Sequence, residues 1–74
     1  LSKLPRGLSY RRVVAALKKA EFYVCRQRGS HIVMRRNDPF AQVVVPAHQS
    51  IDTGTLADIL YGASLRVEDF LALL

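Results

Sequence analysis

Two short polar stretches end in histidine, Gly29-Ser30-His31 and Pro46-Ala47-His48, and Arg26 and Arg28 stand just before the first. An imidazole, with a reference pKa near 6.5, can take up or release a proton close to neutrality. A guanidinium adds fixed positive charge and a forked donor for phosphate. Together these groups suit the cleavage of RNA, which carries its own nucleophile in the 2′-hydroxyl. A base must take the hydroxyl proton, an acid must protonate the departing 5′-oxygen, and positive charge must meet the charge growing on phosphorus. Two histidines without a carboxylate cluster make a poor metal site, so neither a metal nor another cofactor is expected.

Each residue also has a plainer reading. A histidine at a strand end is commonly a hydrogen-bonded structural residue. Ser30 reads first as a turn residue, because no base and orienting group accompany it as a hydrolase triad requires. Arg35 and Arg36 read as solvated strand-end charges or as phosphate contacts, and Cys25 as inert strand packing.

The elements must bring these groups together. Ser9 is placed to cap a first helix running to about Ala20, with Val13, Ala16, Leu17 and Ala20 on one face and Lys18 and Lys19 off it. Phe22 to Gln27, His31 to Arg36 and Gln42 to Pro46 read as strands. Between them Arg28-Gly29-Ser30 forms a turn in which Gly29 is free to take positive φ, and Asn37-Asp38-Pro39-Phe40 forms another. Asp52 or Thr53 caps a helix over about Gly54 to Tyr61, and Val67 to Leu74 forms a short tail helix.

The order predicts an α+β fold, a three-stranded antiparallel meander with the helices on one face as a two-layer sandwich. A second turn centred on Asp38 and Pro39 sets His31 opposite Pro46, with His48 a step or two beyond. The strands carry apolar residues of both parities, Ile32 and Met34 against Val33, and Val43 and Val45 against Val44. One set must face outward, which predicts a protein partner.

Length and composition bound the rest. Seventy-four residues read as one domain over 1–74, and a chain this short buries only about 60% of its unfolded surface. The single Cys25 leaves no internal disulfide and suits a reducing cytoplasm. No apolar run approaches the ~20 residues that cross a bilayer, and no signal peptide is read. The first residue is Leu1, so a few leading residues are read as missing. The net charge of +5 divides into +9 over residues 1–36 and −4 over residues 37–74. Such polarity draws a polyanion to one side, and nucleic acid is the polyanion it points to, against the blander reading of a basic face kept for solubility.

The ordered set Phe22, Gln27-Arg28-Gly29-Ser30-His31, an apolar strand, Val45-Pro46-Ala47-His48, then Gly54-Thr55-Leu56 with Ile59-Leu60, resembles the HicA family of toxin mRNA interferases over nearly the whole chain. The resemblance implies a fold like the double-stranded-RNA-binding domain, cleavage of RNA with little or no sequence selectivity, growth arrest and neutralisation by a HicB-type antitoxin. Joined to the residue chemistry above, it makes a metal-independent endoribonuclease that cleaves mRNA the leading reading. It implies His31 as the catalytic histidine, with Gly29 and Ser30 matching the two residues before it. His48 matches a histidine common after the strand-ending proline; it and Ser30 are read as auxiliary. Arg26, Arg28, Arg35, Arg36, Lys18 and Lys19 are the expected RNA-binding cations. Three positions depart from the family's habit. Glu21 and Ser64 stand where glycine is usual after a helix, and Arg66 stands where a Ser or Thr often caps the tail helix.

Two other classes compete. A non-catalytic double-stranded-RNA-binding module clamps phosphates with lysines at the start of its last helix, but here that stretch is Asp52-Thr53-Gly54-Thr55-Leu56-Ala57-Asp58, without a cation. A partner-binding domain without activity is the other. The oligomeric state is not readable from the sequence.

Overall fold

A computed structural model describes residues 3–74; the first two positions of the 1–74 domain read from sequence lie outside it. The order is α1 (Tyr10–Lys19), β1 (Tyr23–Arg28), β2 (His31–Asn37), β3 (Phe40–Pro46), α2 (Thr53–Gly62) and α3 (Val67–Leu73). The strands form an antiparallel sheet in the order β1-β2-β3, so the α+β meander holds.

One face of the sheet belongs to the core. Ile32, Met34, Ala41, Val43 and Val45 are buried there against Val13 and Leu17 of α1, Leu56 and Ile59 of α2, and Phe70 of α3. Because side chains alternate along a strand, the odd-numbered residues of β2 and the even-numbered residues of β3 turn to the face without helices. The sequence left this parity open. β1 is exposed along its whole length, since the helices cover β2 and β3 and leave that edge bare.

β1 contains a bulge. Tyr23 pairs with Arg35 and Val24 with Met34, but Arg26 pairs with Val33 and Arg28 with His31, leaving Cys25 as the extra residue. An uninterrupted ladder counted from Tyr23 would oppose Arg26 to Ile32 and send it toward the helix side. The bulge shifts the phase, so Tyr23, Arg26 and Arg28 all share the open face. Cys25 is exposed at this kink, which corrects its reading as packing.

Helix ends explain the other boundary differences. After α1, the Glu21 amide donates to Lys18 O and the Phe22 amide to Leu17 O, both at 3.0 Å, and Glu21 has φ +72°. This is a Schellman cap with its usual apolar contact, Phe22 on Leu17. Phe22 is therefore consumed by the cap and β1 starts one residue later than expected. After α2 the same pattern recurs, Ser64 donating to Tyr61 O at 3.1 Å and Leu65 to Leu60 O at 3.0 Å, with Ser64 at φ +57°. Both positions where glycine is usual after a helix thus carry left-handed backbone. Arg66 begins α3 without a side-chain cap. Ser9 begins α1 without one as well, so the cap expected of its hydroxyl is not made. Asp52 does cap α2, accepting from the Thr55 amide at 3.2 Å and the Thr55 hydroxyl at 2.7 Å.

Only Asp38 and Pro39 separate β2 from β3, so the turn is tighter than read and Phe40 already belongs to the strand. At Gly62 a Cβ would come within 3.1 Å of Val43 Cγ1, so glycine lets α2 lie close to β3.

Candidate RNA-cleavage site

His31 opens β2 directly after the Gly29-Ser30 turn. Gly29 has φ +53° and Ser30 keeps an ordinary negative φ, the arrangement that a hairpin turn with glycine at its first central position requires. The turn sets Arg28 opposite His31, and the tight second turn sets Pro46 opposite His31 on the other side. The outward rungs of the sheet then read Arg28–His31–Pro46, Arg26–Val33–Val44, Tyr23–Arg35–Gln42 and Asn37–Phe40. Paired Cβ atoms on such rungs lie about 5 Å apart. His31, Arg26 and Arg28 are all exposed, and no carboxylate stands on any of these rungs.

His48 belongs to the same end of the molecule. The Ala47 amide donates to Ser30 O at 2.6 Å, tying the end of β3 to the turn before His31. The chain then bends, with the His48 amide donating to Pro46 O at 2.8 Å. The His48 carbonyl accepts from the Tyr10 amide at 3.0 Å, and this supplies a partner to an amide of the first turn of α1 that has none within the helix. His48 is exposed, one bend past the rung of His31.

The other expected cations separate into two groups. Arg35 lies on the open face, on the next outward rung past Arg26, with Nε donating to Gln42 Oε1 at 3.0 Å and its guanidinium 5.9 Å from the centre of the Phe40 ring. Arg36 points the other way. Its Nε donates to Pro39 O at 3.0 Å, its Nη2 donates to Ala63 O at 3.3 Å, and it lies 4.8 Å from the Phe22 ring centre. It ties the β2–β3 turn to the end of α2. Lys18 and Lys19 are exposed in the last turn of α1, where positive charge suits the helix dipole. α1 starts beside His48 and ends where β1 begins, so these lysines are about 15 Å from the histidine end, on the helical layer.

Sequence reading passed over three residues of the open face. From the sequence Tyr23 reads as part of a strand, Phe40 as part of a turn and Gln42 as a strand start. Tyr23 donates through its hydroxyl to Asn37 Oδ1 at 3.2 Å, and Phe40 is 68% exposed. For Tyr23 and Phe40 the signal available was aromatic type; the register that sets them near Arg35 was not available, and Gln42 carried no signal of its own. Among the described residues, no three His, Cys, Asp or Glu side chains come together as metal ligands would, and no helix is long and apolar enough to cross a membrane.

Residues 10–65, from the start of α1 through the cap after α2, match the family model described as the HicA toxin of bacterial toxin–antitoxin. No curated protein and no solved structure matches the chain.

Proposed function

The chain belongs to the HicA family of bacterial toxin–antitoxin toxins, and from that premise we propose that it is an endoribonuclease that cuts mRNA in the cytoplasm, arrests growth, and is held in check by a HicB-type antitoxin. His31 is the catalytic residue of this reading. It exchanges a proton with the ribose 2′-hydroxyl or with the departing 5′-oxygen, and His48 carries the second proton. The 2′-oxygen attacks the adjacent phosphorus as the bond from phosphorus to the 5′-oxygen breaks. Arg28 and Arg26 hold the phosphate and balance the charge that grows on it. Ser30 holds its place in the turn before His31 and takes the auxiliary role in this reading. RNA supplies the nucleophile, so the reading calls for no cofactor.

One observation supports this most directly: an exposed His31 paired with Arg28, next to the rung of Arg26, on a face without acids. Lys18 and Lys19 would extend the grip on the RNA backbone from the helical layer. Arg36 we assign to the fold rather than to RNA. Purified His31→Ala should lose cleavage while keeping its circular dichroism and most of its RNA affinity. Cleavage at the wild-type rate would remove His31 from the mechanism. RNA binding by a wild-type chain that never cuts would make it a binding module.

A further inference from the structure

We propose that the helix-free face of the sheet is a track for single-stranded RNA, leading from His31 to a base-stacking station at Phe40. This rests on the reading that the chain acts on RNA, and extends it to how the substrate lies. The face offers charge and rings in a defined order. Arg28, Arg26 and Arg35 stand on successive outward rungs, and none of those rungs holds an acid. Arg35 is oriented by the bond from its Nε to Gln42, which leaves its terminal nitrogens for a phosphate. Val33 and Val44 make an apolar floor between them, Val44 being 46% exposed. The ring of Phe40, more exposed than that of any other phenylalanine, closes the track beside Arg35.

From His31 to the Asn37–Phe40 rung is six residues of β2, about 20 Å, room for several nucleotides. An aromatic ring on a flat sheet can stack only on a base released from its own helix, so the substrate must be unpaired there. A duplex would meet the arginines but leave Phe40 unused. A protein seated on the same face would have to be acidic, which is the competing occupant.

The test uses a labelled 2′-O-methyl oligouridine of ~12 nucleotides, which lacks the free hydroxyl and is not cut, so binding is read independently of cleavage. Phe40→Ala should weaken its binding about 5- to 150-fold, the range of a lost base–ring stack, with the salt dependence unchanged. Phe40→Trp should restore it. Arg35→Ala should lower the slope of log affinity against log salt by about 0.7. An unchanged affinity in Phe40→Ala overturns the track even if His31→Ala has lost cleavage. A 2′-O-methyl duplex of equal length bound as tightly as the single strand overturns it too. So does a Phe40→Ala chain that binds RNA normally but loses its antitoxin, which would assign the face to that protein.

Discussion

His31 and Arg28 face each other on the rung next to the Gly29-Ser30 turn, both exposed on the side of the sheet without helices. In the proposed mechanism a cation in that position acts mainly on charge that appears as the phosphate is attacked. Arg28→Ala should therefore lower single-turnover cleavage by about 10²- to 10³-fold, the scale of removing one donor to a developing anion. RNA affinity should fall far less. Arg28→Lys should recover part of the rate, keeping charge but losing the fork.

Removing His48 tests the second proton transfer of the proposed mechanism. His48→Ala should lower single-turnover cleavage by about 10²- to 10⁴-fold, the scale of losing one general acid or base, with RNA affinity little changed. Cleavage at the wild-type rate in His48→Ala would assign the second proton to another group.

The two positive-φ residues cost stability. Glu21→Gly and Ser64→Gly should each stabilise the fold by about 1 kcal/mol, raising Tm by roughly 4–8 °C in a domain of this size. Cleavage should not change, since neither residue stands on the outward rungs. Thermal melts beside a cleavage assay check both halves.

Arg36 and Arg26 should separate in the same experiments. Arg36→Ala removes the bonds to Pro39 O and Ala63 O and should lower Tm while leaving the salt slope of RNA binding alone. Arg26→Ala should lower that slope by about 0.7 with little effect on Tm.

Asp52 gives the fold an acid limit. The Thr55 hydroxyl, then the Thr55 amide, hold its carboxyl below the ordinary value of 3.8. The unfolded chain therefore takes up this proton more readily than the folded one. The stabilisation is present above pH 3.8 and is lost as pH falls through the lower folded value. Asp52→Ala should lower Tm by a few degrees at neutral pH, and the difference from wild type should shrink in acid.

Much of this was legible because it is local. Turn chemistry at Asp38 and Pro39 set the register that puts His31 opposite Pro46, and the awkward Glu21 and Ser64 marked the left-handed caps. What escaped depends on distant partners. The Arg36 guanidinium reaches a carbonyl 27 residues away, so its charge looked free. The bulge leaves no mark in Tyr23-Val24-Cys25-Arg26, because every residue there is acceptable on either face of an uncovered edge. Without it the side of the sheet holding Arg26 and Tyr23 could not be assigned together.

Position 25 follows a rule of its own as a result. Chemistry at that site is dispensable, so Cys25→Ser or Cys25→Ala should pass unnoticed in folding and cutting alike. Removing the residue altogether would turn over one end of β1, exchanging what it shows to solvent for what it hides. There, the chain is constrained by count and indifferent to kind.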